Sequence, residues 1–195
     1  MKIKNIIAIT LLAGLGMSAQ AVSLNYTFQD YGVGTLGASK AFTQSGYTVT
    51  ATGVGDTLYA KNSGAGEIGL GTTTDADHEI TSQAWVQLDV SQLSGATLAT
   101  IFLSSVQTSG NETGKVWFSD VSGTLGTLIS TLTADGSLDI TSYLSHRYID
   151  VTAGSGDVLI AGLSATTRNV PDGGTTVAML GAALTGLGLI RRKLA

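Results

Sequence analysis

The sequence predicts an all-β protein, an antiparallel β-sandwich with jelly-roll-like topology, on three observations. Glycine accounts for 26 of the 195 residues, and glycine favours the tight turns that join short strands. Apolar and polar residues alternate through most of residues 22–167, which is the period of half-buried strands. No segment there combines a 3.6-residue period with helix caps. Because 43 % of the residues are hydrophobic, the chain can bury a core. An open barrel is the alternative architecture.

Residues 1–21 are predicted to be a secretory signal peptide. The segment begins with two lysines, and the apolar stretch 6–15 is too short for a stable membrane span. Ala19 and Ala21 supply the small residues that signal peptidase requires at positions −3 and −1. We therefore expect export through the Sec machinery and cleavage after Ala21, which leaves Val22 as the first residue. An uncleaved anchor helix is the alternative.

The body of the chain, residues 22–167, is predicted to be the β-sandwich domain. In the strand WVQLDV, Val86 and Leu88 are expected to face the core, whereas Gln87 and Asp89 are expected to face outward. Glycine or Asp/Ser/Gly turns separate most of the other predicted strands, which are YTVTAT, TLATIFLSS, KVWFSD, TLISTL, SLDITSYL, RYIDVTA and DVLIAGLSA. TLATIFLSS is nearly all apolar, which favours a central strand, and TSYLS could form a helical turn.

Charge and cysteine content exclude several classes of function. Residues 22–169 contain 13 acidic and 5 basic residues, a net charge of −8. An acidic body argues against a nucleic-acid partner, because nucleic-acid phosphates require a basic face. The chain has no cysteine, which excludes disulfides, thiolate metal sites, a cysteine nucleophile and a lipid-modified cysteine.

The densest polar cluster contains Asp75, Asp77 and Glu79. In an extended segment, residues two apart share a side, and carboxylate oxygens are the ligands that calcium prefers. A calcium site is therefore one hypothesis. The EF-hand pattern does not apply, because Ile80 and Val86 stand where that loop requires glycine and glutamate. A solvated acidic loop is the alternative interpretation.

The body is expected to be non-catalytic. His78 and His146 are the two histidines, no Gly-x-Ser-x-Gly elbow is present, and no pair of carboxylates stands out by its setting. A carbohydrate-binding module is the alternative function. Trp85 and Trp117, with Tyr59, are the aromatic side chains that could stack on sugar rings. Packing of both indoles in the core is the competing interpretation.

The C-terminal tail divides into a linker at residues 168–174 and an apolar helix with a basic end at residues 175–195. Pro171 is the single proline of the chain; it cannot continue a strand ladder, and it favours an extended peptide accessible to an enzyme. The uncharged run 175–190 is shorter than the roughly 20 residues of an ordinary membrane span, but flanking basic residues extend its reach. A transmembrane helix is therefore predicted. Its basic end consists of Arg191, Arg192 and Lys193.

This tail resembles the C-terminal sorting signals of the PEP-CTERM class, and among them the variant with a Val-Pro-Asp-Ser-Gly motif. The corresponding residues are Val170, Pro171, Asp172, Gly173 and Gly174, and Gly173 stands where the variant has serine. The resemblance implies processing by an exosortase, transit through the inner membrane of a Gram-negative-type bacterium, and delivery to the cell surface or extracellular matrix. The expected role is a non-catalytic surface protein associated with exopolysaccharide or biofilm. A simple tail anchor is the alternative.

A second resemblance concerns the segment GEIGLGTTTDADHEI and the strand AWVQLDV that follows it. This stretch is similar to a jelly-roll-like domain frequent among PEP-CTERM proteins, in which a Gly-Leu-Gly turn, an Asp-x-Glu-Ile run and an apolar strand recur. The resemblance implies no established activity.

Overall fold

The computed structural model describes residues 21–28, 32–64, 67–168, 180–187 and 191. The chain divides into two compact units, of which the larger is Val22–Thr167. In the smaller unit, residues 180–187 are helical. Among the described residues, no helix has both the length and the apolar character needed to span a bilayer.

The larger unit is built almost entirely from β-strands, and in the described part of the chain we number thirteen. The strands are β1 (Ala21–Thr27), β2 (Gly34–Gly37), β3 (Ser39–Gln44), β4 (Tyr47–Val54), β5 (Leu58–Asn62), β6 (Ile68–Thr72), β7 (Trp85–Asp89), β8 (Ala96–Ser104), β9 (Thr113–Ser119), β10 (Thr127–Leu132), β11 (Gly136–Asp139), β12 (Tyr148–Ser155) and β13 (Leu159–Arg168).

The strands form two antiparallel sheets, which confirms the predicted sandwich. The first has seven strands in the order β11-β8-β13-β6-β5-β2, with β1 also paired to β13; the second has six in the order β10-β9-β12-β7-β4-β3. From β7 onward the chain repeatedly changes sheet, so that β12 pairs with β7 and β13 pairs with β8. These long-range pairings give the sandwich its jelly-roll-like character.

The core lies between the two sheets and follows the alternation seen in the sequence. Val49 on β4, Val86 and Leu88 on β7 and Ile149 on β12 are fully buried and belong to one hydrophobic cluster. Their strand neighbours carry the polar side chains of the outer face. Alternation of an apolar inner face with a polar outer face is the arrangement that period-two patterning predicts.

Two segments differ from the sequence prediction. SLDITSYL is not one strand, because β11 ends at Asp139. Thr141–Tyr143 forms a 3₁₀ turn, which agrees with the helical turn considered for TSYLS. The Gly-Leu-Gly sequence is not a turn, because it forms the middle of β6. A Cβ at Gly71 would lie 2.1 Å from the carbonyl oxygen of His78. This glycine therefore permits a close backbone approach within a strand, a second common use of the residue.

Candidate functional site

Two clusters on the outer faces of the sandwich combine aromatic and ionisable side chains. The first is on the six-stranded sheet, where Trp117 and Asp150 are cross-strand partners, as are Asp150 and Gln87. The second is on the seven-stranded sheet, around Tyr59 and Lys61. These clusters contain the side chains that sequence reasoning considered for sugar binding, together with charged residues that it did not single out.

Both tryptophans are half-buried. The Nε1 of Trp117 donates a hydrogen bond to Thr152 Oγ1 at 3.1 Å. Trp85 follows the alternation of β7 onto the side of Gln87, packs against the core cluster, and buries its Nε1 without a hydrogen-bond partner. Neither indole therefore stands out from the surface as an open platform.

Asp150 lies at the centre of this first cluster and is completely buried. Its Oδ1 accepts a hydrogen bond from Gln87 Nε2 at 2.8 Å, whereas its Oδ2 is buried without a partner. Burial raises the pKa of Asp150 to about 7, although the hydrogen bond from Gln87 acts in the opposite direction. The carboxyl group therefore changes its protonation state near neutral pH.

The segment 120–126, between β9 and β10, is held over this buried pair. Gly123 N–H donates to Gln87 Oε1 at 2.9 Å, and Gln87 Nε2 also lies 3.4 Å from the carbonyl oxygen of Val121. At the start of the segment, the Asp120 carboxylate accepts the backbone N–H of Arg147 at 3.1 Å and lies 2.9 Å from the Nδ1 of His146. These contacts cover Gln87 and Asp150 with segment 120–126. Asp150 therefore has a structural role and is not part of an exposed site.

The second cluster surrounds a surface groove of about 280 Å³, which we call the Tyr59 groove. Besides Lys61 and His78, whose contacts are described below, the side chains that line it include Val33, Tyr59, Asn62, Ser63, Glu67 and Asp77. Asn62, Ser63 and Asp77 are exposed, and Val33 leaves 64 % of its surface open to solvent. The groove is thus an accessible concave surface with the rings of Tyr59 and His78, one aliphatic side chain and several hydrogen-bonding groups.

The aromatic side of the groove is a stack of Tyr59 and His78. Their ring centroids lie 4.0 Å apart with an interplanar angle of 22°. Tyr59 is the cross-strand partner of Gly71, and the missing side chain there leaves room for the His78 backbone to lie on the sheet. His78 has a φ of +61°, a left-handed conformation that is uncommon for a residue with a side chain.

A buried ion pair lies next to these rings. The Nζ of Lys61 lies 2.5 Å from Glu79 Oε1 and 3.1 Å from Glu67 Oε2. Ser105 Oγ donates a further hydrogen bond to Glu79 Oε1 at 2.9 Å. Burial raises the pKa of Glu79, partly offset by these donors. Burial alone would lower the pKa of Lys61, but its two carboxylate partners raise it above the ordinary value.

The three carboxylates considered for calcium have different surroundings. Residues 73–77 form bends and a turn, so the extended segment on which that hypothesis depended is not present. Asp75 Oδ1 accepts the backbone N–H of Glu79 at 3.2 Å, Asp77 is exposed, and Glu79 is buried against Lys61. Within the described ranges, no group of three or more His, Cys, Asp or Glu side chains is placed to hold a metal ion.

Asp150, Gln87 and Lys61 were not identified as site residues from the sequence. Asp150 and Lys61 each occupy an alternate position within an apolar strand, as in RYIDVTA and LYAK. That pattern indicates an outward-facing residue and gives no sign that another segment will cover it. Their burial depends on segments 120–126 and 73–79, which come from elsewhere in the chain.

The predicted signals at the two termini lie largely beyond the described residues. Ala21 and Val22 are the first residues of β1, whereas Ala19 is outside the described part. The motif from Val170 to Gly174 is also outside it. At the basic end, Arg191 is helical and exposed, and Arg192 and Lys193 fall outside the described residues.

Comparison with known proteins identifies the tail. A family model described as the VPDSG-CTERM motif matches residues 169–194, which confirms the resemblance inferred from Val170, Pro171 and the residues that follow them. The match begins where β13 ends and includes no residue of the sandwich strands. Searches of curated proteins and of solved structures return no match to the chain.

Proposed function

This chain carries a VPDSG-CTERM sorting motif at residues 169–194, and from that premise we propose a non-catalytic protein of the cell surface or extracellular matrix, associated with exopolysaccharide. The motif implies export to the cell envelope or surface and an exosortase as partner. Beyond that, the proposal includes transit through an inner membrane of the Gram-negative type and retention by polysaccharide after sorting.

The single observation that supports the proposal is the combination of this motif with a self-contained sandwich. The domain between residues 22 and 167 has its own core between two sheets, as expected of a module that folds after export. Its two most deeply buried carboxyl groups, Glu79 and Asp150, are held by internal contacts with Lys61 and Gln87. These contacts favour a binding or structural role over a catalytic one.

The test is expression of the full chain in a host that has the matching exosortase and in the same host with the exosortase gene deleted. We expect the mature protein in the first host to lack Ile190 by mass spectrometry and to fractionate with the exopolysaccharide. In the deletion host, the tail should persist and the protein should stay with the membrane. Persistence of Ile190 in both hosts, while other substrates are processed, would favour a simple tail-anchored envelope protein.

A carbohydrate-binding module is the second candidate function, and the Tyr59 groove is the observation that favours it. Tyr59 is half-buried like the two indoles, but it lines an open groove beside the exposed polar residues Asn62 and Ser63. Such a module would hold the exported protein in the matrix directly. Co-sedimentation of the purified full chain with the host's exopolysaccharide measures this, with protein unfolded in urea as the control for nonspecific adhesion.

A further inference from the structure

We infer that the Tyr59 groove is a binding site for a single neutral sugar unit within a polysaccharide chain, an inference that rests on the proposed association with exopolysaccharide. The groove volume of about 280 Å³ lies near the lower limit of small-molecule sites, about 300 Å³. That size suits one ring of a longer chain whose neighbouring units extend into solvent.

The two stacked rings give the groove a preformed apolar surface. Stacking on His78 limits the rotation of the Tyr59 ring, so little conformational entropy is lost when a ligand packs beside it. Val33 adds an exposed aliphatic side chain to the same groove. A sugar ring has C–H groups on its faces and hydroxyl groups around its edge, and an apolar surface next to polar side chains matches both.

The backbone at His78 is held in a left-handed conformation that it shares with Ser45, Ser105 and Asn111, so its bearing on the groove comes from where it places the imidazole. Its φ of +61° is supported by the backbone bond from His78 N to Asp75 O at 3.4 Å and by the side-chain bond of Asp75 to Glu79 N at 3.2 Å. Glycine at this position would relieve the strain. The chain instead keeps an imidazole there, whose Nδ1 is buried without a hydrogen-bond partner.

The polar side chains of the groove offer both donors and acceptors. The Asn62 amide provides two donors and an acceptor, and the Ser63 hydroxyl, which donates its proton to Glu67, provides an acceptor. Ser63 Oγ already lies 2.9 Å from Glu67 Oε2, which orients that carboxylate. Sugar hydroxyls also both donate and accept, so a mixed set of this kind suits them better than it suits a purely anionic or cationic ligand.

Charge selects against an acidic ligand. Among the described residues that line the groove, Lys61 carries the ammonium group, which is shared between Glu67 and Glu79. The exposed carboxylate of Asp77 also lines the groove. With its positive charge already paired and an additional carboxylate nearby, the groove disfavours uronate or sulfate sugars.

The experiment is saturation-transfer NMR on the purified full chain in detergent, with cellotetraose and mannotetraose as neutral probes and tetramannuronate as the acidic probe. We expect transfer to at least one neutral probe and none to tetramannuronate. Asn62→Ala should weaken neutral binding about fivefold to tenfold, the effect of one lost hydrogen bond. Gln83→Ala is the matched control, because Gln83 is also an exposed amide and does not line the groove.

A second variant distinguishes a loss of sugar binding from a loss of folding. Tyr59→Leu keeps an apolar side chain on β5 and removes the aromatic ring, and its folding is checked by the melting temperature. Neutral binding that survives unchanged in folded Tyr59→Leu and in Asn62→Ala would overturn the inference. Preference for tetramannuronate, or transfer to none of the probes, would overturn it as well. Sorting and matrix retention are measured separately. If the protein is processed and bound to the matrix, but the groove variants bind the neutral probes as the wild type does, the groove is not the binding site and the proposed function still stands.

Discussion

The two buried carboxyl groups of Glu79 and Asp150 differ in the charge of their hydrogen-bond partners. Glu79 and Asp150 each have one oxygen in hydrogen bonds and one buried oxygen without a partner. Glu79 is next to the Lys61 cation, whereas Asp150 has the neutral amide of Gln87. A buried carboxylate without a cation is costly, so it takes up a proton at a higher pH than usual. The two positions should therefore respond differently to pH and to substitution.

The Asp150 carboxyl should make stability fall as pH rises from about 4 to about 7. Its pKa is about 7 in the folded protein and 3.8 ordinarily, so within this window the folded state holds a proton that the unfolded chain has released. The contribution of Asp150 to the free energy of unfolding is complete below the pKa of the unfolded state and is lost as the pH rises through the pKa of the folded state. The free energy of unfolding changes by up to about 1.4 kcal/mol per pH unit within this window. Urea unfolding of wild type and Asp150→Asn from pH 4 to 8 measures this. Parallel stability curves for the two proteins would contradict it.

Removing the cation from the other pair should be strongly destabilising. The Lys61→Met substitution leaves Glu79 buried without a charge partner, and we expect the free energy of unfolding to fall by about 3 kcal/mol. The double variant Lys61→Met/Glu79→Gln removes the uncompensated charge and should regain at least about 1 kcal/mol of that loss. Urea titration at pH 7 measures both. If the double variant is no more stable than Lys61→Met, the uncompensated charge is not the cause of the loss and the prediction is wrong.

At the scale of elements, the two glycines of β6 explain how a loop comes to lie on a sheet. Gly69 and Gly71 are cross-strand partners of Lys61 and Tyr59. Because Gly71 has no side chain, the backbone at His78 can approach the strand closely. This places a histidine ring and a glutamate beside the side chains of β5. The Gly-Leu-Gly sequence therefore builds the Tyr59 groove without contributing a side chain to it.

Gly71→Ala should displace segment 73–79 from the sheet. The new Cβ would lie 2.1 Å from His78 O and 3.0 Å from Glu79 Cα, and both neighbours are backbone atoms that cannot simply rotate away. We expect a loss of about 2 kcal/mol in the free energy of unfolding. Gly95→Ala is the control, because a Cβ there meets nothing within 4 Å, and its effect should stay within about 0.5 kcal/mol. Equal urea midpoints for the two variants would contradict the prediction.

The sequence predicted strands where alternation is strong and failed where distant segments decide the environment. YTVTAT and WVQLDV correspond to β4 and β7, and Val86 and Leu88 face the core as expected. Gln87 lies on the predicted outer side, yet only 2 % of it is exposed, because segment 120–126 covers it. No strand predicted from the sequence corresponds to β1, β2, β3, β5 or β6. β2 and β6 are short and glycine-rich, so local pattern alone is weak there.

At the scale of the whole molecule, the sandwich and the sorting tail belong to different compact units, and their sequences carry different kinds of information. The tail is recognisable from a short motif and a charge pattern. The Tyr59 groove depends on strand register, on a glycine opposite an aromatic residue and on a left-handed histidine. None of these features is visible before the strands are paired, and this is why the site could not be predicted from the sequence.

The predicted signal cleavage should leave the sandwich complete. Cleavage between Ala21 and Val22 removes one residue from the start of β1, whose buried side chains, Leu24 and Tyr26, lie further along the strand. Mass spectrometry of the exported protein should therefore find Val22 at the N-terminus, with a melting temperature unchanged from that of a chain beginning at Ala21. Detection of Met1 on the exported form would exclude cleavage.

The position of β13 has a mechanical consequence. This strand ends at Arg168, directly before the sorting motif, and it lies between β8 and β6 with β1 also paired to it. A pulling force applied through the tail acts on β13 parallel to the strand axis. Its pairing with β8 from Leu159 to Thr167 would have to shear as a group, whereas an edge strand such as β10 can peel away one hydrogen bond at a time. Single-molecule pulling from residue 168 should accordingly require a higher rupture force than pulling from residue 132, so the sheet would hold its shape under the drag of flowing liquid.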